Sequence, residues 1–410
     1  MLSLLVRWVK LQRIPNADLK MREVVGGTAF EAELAMRDIE VLLAEISARH
    51  RELDGTAEEA EILNMAPPAL VDVMRELRVP LVKVPSEIGG DELPMASQLR
   101  YFEALSYANP TAGWTGFNHA GAAGICGAKL SDAGIDTIFG SGAVPFLGAV
   151  AAPSGTFNVV DGGIELSGHY RYASGANHAE WFFLAGVETK EHPSARLAVV
   201  SADDVSLSDN WDVMALKGTG SVDVTLDKVF VPDHLLADPS ASPLRGGPMY
   251  TLGYQAYVAG ENLGFSLGVC QRLIDETARY ATTKSRGKDG RLADRGAFQY
   301  ELGKTQLEVE AAKAFGLGEL TAADDQCVRN NGLSSSEEQK IVAMLAFCTE
   351  SSVNAVSRLY HFAGAEAIFN SSVLQRCFRD AHGSAMHHVA SNVAYDTYGQ
   401  KLLAHQDPAE

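Results

Sequence analysis

Tyr360-His-Phe-Ala-Gly-Ala-Glu-Ala-Ile-Phe369, followed closely by Leu374-Gln-Arg-Cys-Phe-Arg-Asp-Ala-His-Gly-Ser-Ala-Met-His-His388, is the most informative stretch of this chain. The run of small residues around Gly364 breaks a helix. A second helix is expected over residues 374–390, carrying the pair Arg379-Asp380 and the histidines His382, His387 and His388. His382 lies five and six residues before the other two, so on a helix turning 100° per residue the rings diverge. A zinc pair would use i, i+4, and no His-Glu-x-x-His is present, so no metal site is expected.

Working back from this stretch, three more long helices are predicted over 264–284, 298–322 and 337–362. The last carries Ile341, Leu345, Cys348, Ser352, Ala355, Leu359 and Phe362 on one stripe. Four long helices make a bundle, assigned to 241–410. Residues 144–240 have another texture, with frequent glycine and proline and short alternating runs. Strands are predicted over 164–172, 181–187, 196–201 and 222–231, forming a small β-barrel or sandwich. Residues 1–143 read as helical. Ala35, Ile39, Leu42, Ile46 and Leu53 give a first amphipathic helix, and others are predicted over 68–77 and 96–107. The stretch before about residue 25 reads as a floppy leader, too short and too charged for a good signal peptide. The fold class is therefore multidomain α+β: helical domain, β domain, four-helix bundle.

The 410 residues suggest two or three domains. A formal net charge of −18 repels phosphate backbones and anionic lipid, so neither nucleic acid nor membrane is an expected partner. No apolar run reaches the ~18 residues of a membrane span. The five cysteines are odd in number, widely spaced and without Cys-x-x-Cys, which reads as reduced core thiols in a cytoplasmic protein.

Three motifs sit in the three parts. They are the turn-rich Pro85-Ser-Glu-Ile-Gly-Gly90, the segment Trp211-Asp-Val-Met-Ala-Leu-Lys-Gly-Thr-Gly-Ser221, and the C-terminal stretch quoted first. With the helical–β–helical order, they resemble the acyl-CoA dehydrogenase superfamily over nearly the whole chain. In the dehydrogenases, the segment after Arg-Asp-Ala commonly bears a catalytic glutamate. Here it holds His387 and His388. The resemblance is thus to the superfamily's two-component, flavin-dependent monooxygenases. That branch uses reduced flavin from a separate reductase, adds O2 at flavin C4a, and oxygenates a small, typically aromatic, organic substrate. No Walker loop or Gly-x-Gly-x-x-Gly after a strand provides a nicotinamide site in this chain, which suits a separate reductase. The resemblance also implies a homotetramer. Alternatives on the same fold are a dehydrogenase with Glu366 as base and an amino-sugar N-oxygenase.

The resemblance assigns roles residue by residue. In Gly168-His-Tyr-Arg-Tyr-Ala-Ser-Gly175, Ala173 and Ser174 would meet the flavin ring, the Ser174 hydroxyl lying near N5 of the oxygen adduct; the competing reading is an ordinary hairpin turn. His387 matches the monooxygenase histidine in spacing from Arg379-Asp380, with His388 the alternative register. His119, in the small-residue helix Gly113-Trp-Thr-Gly-Phe-Asn-His-Ala-Gly-Ala-Ala-Gly124, would contact substrate or else be a satisfied buried histidine. Gly364 would lie by the flavin. Arg286, aided by Lys288, and Gln299 match the flavin-phosphate positions. The sequence Gly287-Lys-Asp-Gly-Arg291 replaces the dehydrogenases' Phe-Gly, which favours reduced FMN and leaves FAD possible.

Overall fold

The computed structural model describes residues 37–191, 193–285 and 290–404. Among the described residues, seven helices come first: α1 (Ile39–Ala48), α2 (His50–Gly55), α3 (Ala57–Leu63), α4 (Pro68–Glu76), α5 (Met95–Ala108), α6 (Pro110–Lys129) and α7 (Asp132–Phe139). Seven strands follow: β1 (Leu147–Val160), β2 (Gly163–Ala173), β3 (Trp181–Glu188), β4 (Ala195–Ser201), β5 (Ser206–Leu207), β6 (Val222–Pro232) and β7 (Leu236–Ala237). Then come α8 (Tyr254–Tyr257), α9 (Ala259–Thr283), α10 (Gly296–Asn330), α11 (Ser335–Tyr360), α12 (Val373–Ala385) and α13 (Val393–Ala404).

The strands form one sheet in the order β5-β6-β2-β1-β3-β4-β7. The four predicted strands are β2, β3, β4 and β6. Its central strand, β1, was not predicted. Ala151-Ala-Pro-Ser-Gly155 reads as a turn, and the ladder slips there: β1 pairs with β3 through Val150↔Leu184 and resumes at Gly155↔Gly186. Pro153 sits inside that slip, where no ladder partner needs its missing N–H.

The bundle centres on α9, which packs against α5, α10, α11 and α12. Its Leu263, Phe265, Leu267 and Leu273 are completely buried, each worth about 1.5–3 kcal/mol. α11 starts on a capping box between Ser334 and Glu337. All five cysteines are buried and unpaired. No helix among the described residues is long and apolar enough to cross a membrane.

α6 runs through the middle of the molecule. Asn109 caps it, accepting the N–H of Ala112 and donating to the Leu53 carbonyl. Most of its glycines admit close protein neighbours. A Cβ on Gly113 would lie 2.1 Å from Ser106 Oγ, and one on Gly124 would lie 2.4 Å from the Tyr257 hydroxyl.

The helix predicted over 374–390 stops early. α12 ends at Ala385, and His387 is extended (φ −68°, ψ 139°) before a short turn over His388–Ala390 that brings Val389 into the core. The angular argument from a continuous helix therefore does not apply to His387 and His388.

Candidate active site

The last ladder pair of β2 is Ala173↔Val222, after which the chain turns at Ser174-Gly175. Gly175 has φ +73°, and its N–H donates to the Thr219 carbonyl at 2.8 Å. Ser174 is buried at this corner. Its hydroxyl lies 2.8 Å from that of Ser221, which lies 2.7 Å from that of Thr219, and Thr219 donates to the Leu216 carbonyl at 2.7 Å. A carbonyl only accepts, so the Thr219 proton points at Leu216. Ser221 must then donate to Thr219, and Ser174 to Ser221. Trp114 Nε1 donates to Ser174 Oγ at 3.0 Å. The Ser174 proton is thus committed inward, and one lone pair of its Oγ is left to accept.

This hydroxyl chain hangs on Leu216, a non-glycine residue with φ +56°. Its N–H donates to Asp380 Oδ1 at 2.7 Å, and its carbonyl also accepts from Trp211 Nε1 at 3.2 Å. Arg379 donates to the Met214 carbonyl, the Glu61 carboxylate and Gln375 Oε1. The Arg379-Asp380 pair therefore grips the 211–221 loop, and two motifs 160 residues apart in sequence become one device. Burial, with the nearby Glu61 charge, pushes Asp380 up to about 7 against the pull of the Leu216 N–H and Arg379.

His387 meets the same corner. Its ring stands edge-on to Trp114, with centroids 5.5 Å apart and planes at 89°. Its Nδ1 is buried without a hydrogen-bond partner among the described residues. Burial, then the neighbouring His388, lowers its pKa to about 4, so the ring is neutral at ordinary pH. The His388 ring lies 4.6 Å from it and stacks parallel to Tyr254 at 5.9 Å.

His119 is fully buried and does not offer itself to a ligand. Its Nδ1 is 2.8 Å from the Leu147 carbonyl and must carry the proton; its Nε2, 2.9 Å from His178 Nε2, must accept. Both ring nitrogens of His119 are used internally, as the satisfied-histidine alternative has it. Burial holds His119 near 4 and His178 well below its ordinary value.

Arg286 and Lys288 are outside the described residues. Gln299 is exposed near the start of α10 and donates to the Ala293 carbonyl. Gly364 has φ +65°, which explains the glycine, and sits on the exposed turn after α11. Among the described residues, neither shares a hydrogen bond with the Ser174 corner. Glu366 on that turn pairs with Lys284 at 3.3 Å and is largely exposed. It is therefore not the enclosed base that the dehydrogenase alternative requires.

An apolar cleft opens between α6, β1 and β3 on one side and α8–α9 on the other. At its floor lies an ion pair that sequence reasoning missed, Lys83 with Glu261, Nζ to Oε2 2.7 Å, both essentially unexposed. A lysine within Val79-Pro-Leu-Val-Lys-Val84 and a glutamate in apolar α9 were the available signals. The cleft shares the walls Ile125, Ala151, Phe183, Tyr254 and Tyr257 with a larger outer hollow of about 490 Å3. Among the described residues no three His, Cys, Asp or Glu side chains gather as metal ligands would.

The corner suits a flavin ring: a polarised hydroxyl acceptor, an orphaned imidazole nitrogen and an aromatic wall converge in a buried place. Residues 264–392 match the family model for the acyl-CoA dehydrogenase C-terminal domain. A pigment production hydroxylase from a Rhodococcus species is 28% identical over 339 residues, covering 78% of this chain and 85% of the relative. The oxygenase component of p-hydroxyphenylacetate 3-hydroxylase from Acinetobacter baumannii is 26% identical, covering 85% of each. The structure of XiaF from Streptomyces sp. in complex with FADH2 and glycerol has a TM-score of 0.83 at 24% identity, covering 92% of this chain and 98% of that one. These matches make the chain similar to the acyl-CoA dehydrogenase superfamily. Within it, the chain resembles the flavin-dependent monooxygenase branch.

Proposed function

We propose that this chain is the oxygenase component of a two-component flavin-dependent monooxygenase acting on a small aromatic substrate. The observation that carries the reading is the Ser174 corner, where Ser174 Oγ is fixed as an acceptor beside a neutral His387. A reduced flavin bound there would supply the electrons that activate O2. Ser174 would be the acceptor for a donor on the flavin ring, through its remaining lone pair, and Thr219 and Ser221 hold that polarity. His387, being neutral, offers one ring N–H to developing negative charge rather than a full positive charge. Trp114 excludes water behind both residues.

Reduced FMN is the proposed flavin and FAD the alternative, with Arg286, Lys288 and Gln299 as the phosphate-side residues. A separate reductase supplies the reduced flavin, because this chain has no nicotinamide-binding motif. A homotetramer is proposed from the exposed Tyr300, Leu307, Phe315 and Val328 along α10 and Phe347 on α11, apolar surface that a second copy would cover. A cytoplasmic location is proposed from the reduced core thiols.

The test is anaerobic mixing of the protein with reduced FMN or FADH2, then with O2. Flavin reoxidation slower than that of free reduced flavin is expected, with peroxide falling when a coupled aromatic substrate is present. A protein that purifies yellow with tight oxidised FAD and reduces it with an acyl thioester would overturn the reading.

A further inference from the structure

We propose that Glu261, clamped by Lys83 at the floor of the cleft, orients the substrate by accepting one neutral O–H or N–H from it. This rests on the oxygenase reading and names what the substrate must carry.

The lysine is fully satisfied. Lys83 Nζ donates to the Tyr257 carbonyl at 3.0 Å and to Glu261 Oε2 at 2.7 Å, and stands 3.5 Å over the centre of the Tyr257 ring. The carboxylate is not. Oε2 is held by Lys83, while Oε1 accepts no hydrogen bond among the described residues, although Glu261 is only 1% exposed. Glu261 lines the cleft, so Oε1 is left to accept from whatever enters it. Oε1 faces Gly121 of α6, where a Cβ would come within 3.3 Å of it.

Lys83 also decides what kind of donor fits. It balances the carboxylate charge, so the pair is close to neutral overall and attracts a cation weakly. A substrate carboxylate would be repelled by Oε1. A neutral donor on an apolar body remains. The body is accommodated by the walls shared with the outer hollow, among them Ile125, Phe183 and Tyr254. The placement suits oxygenation. Trp114, which touches Ser174, and Gly121, which faces Glu261, are seven residues apart on α6, roughly 10 Å along the helix axis. The cleft itself holds only about 40 Å3, room for the donor group, so the aromatic body lies in the hollow of about 490 Å3 with its donor on Glu261.

The experiment needs no flavin. Binding of 2-naphthol and of 2-methoxynaphthalene, which lacks the donor, is measured by titration calorimetry on the whole chain. The wild type is expected to prefer 2-naphthol by at least about tenfold. K83M/E261M removes both charges together, which cores commonly tolerate, and should bind the two equally. If that variant does not fold, Glu261→Gln carries the comparison and should lose several-fold of the preference. Equal binding by the wild type, no binding of either compound, or a full preference kept in the variant overturns the proposal. Failure of the oxygenase reading looks different: the naphthol preference is present, but the wild type does not delay reoxidation of reduced flavin. If Glu261→Gln instead abolishes deuterium exchange α to an acyl thioester, Glu261 is a dehydrogenation base and the proposal falls.

Discussion

Asp380 Oδ1 accepts the backbone N–H of Leu216 at 2.7 Å across 164 residues of sequence, tying the end of the helical bundle to the loop that carries Thr219 and Ser221. The bond explains how Leu216 can hold φ +56° without being glycine. It also makes the position of the hydroxyl chain depend on a buried carboxyl.

That carboxyl gives a pH prediction. Asp380 is pushed up to about 7 in the folded protein, against about 3.9 in an unfolded chain. Between those values the native state holds a proton that the unfolded state releases, so stability falls as pH rises from about 4 to about 7 and levels off above. The slope from this group is at most about 1.4 kcal/mol per pH unit. Asp380→Asn keeps the acceptor and removes the titration. Urea midpoints at pH 5, 6 and 8 should fall less steeply in the variant than in the wild type; parallel slopes would assign the proton elsewhere.

Ser174→Ala should fold and bind flavin but release more peroxide per O2 consumed. One lost hydrogen bond of roughly 1–3 kcal/mol corresponds to about one to two orders of magnitude in the lifetime of the activated state. Thr219→Val leaves Ser174 in place but frees Ser221 to donate back to it, so peroxide release should rise by a smaller factor. Equal coupling in wild type and Ser174→Ala would remove the role given to Ser174. An unchanged Thr219→Val would mean that proton direction along the chain does not matter.

The helical ends and the β middle were legible in the sequence because their patterns are local: the 3.6-residue stripe on α11 and the strict alternation in β6. β1 was not legible, since Pro153 in a ladder slip looks the same in sequence as Pro in a turn. Ser174 stood out through its Ser-Gly turn. Trp114, His178, Lys83 and Glu261 did not, because their roles arise from contacts between distant segments. His119 shows the converse. It stands in a suggestive helix, and only the Leu147 carbonyl and His178 reveal that its nitrogens are taken.

The assembly prediction rests on exposed apolar side chains. Leu307 is 67% exposed and Val328 74%, with Tyr300 and Phe315 on the same long helix. Light scattering at micromolar concentration should give a mass near four times the 43.9 kDa chain. Leu307→Glu with Phe315→Glu should shift that mass toward the monomer. A wild-type monomer mass would leave the α10 surface unexplained by self-association.

His387 and His388 are separated by environment rather than by helical angle. His387 stands edge-on to Trp114 with a buried, unpartnered Nδ1, whereas His388 is more exposed and stacks on Tyr254. His387→Ala should therefore reduce product formed per reduced flavin by about 10²-fold or more, the range seen when a donor aimed at developing charge is removed. His388→Ala should cost several-fold at most, chiefly in substrate affinity through the loosened Tyr254. Because His387 is neutral above about pH 4, the wild-type product yield should show no titration of this histidine between pH 6 and 8. His387→Gln, which restores a neutral donor, should recover part of the loss. The opposite ranking of the two alanine variants would move the reactive position to His388. A profile that rises as pH drops below 6.5, persists in Asp380→Asn and is lost in His387→Gln would mean that a protonated imidazole, not a neutral one, serves the reaction.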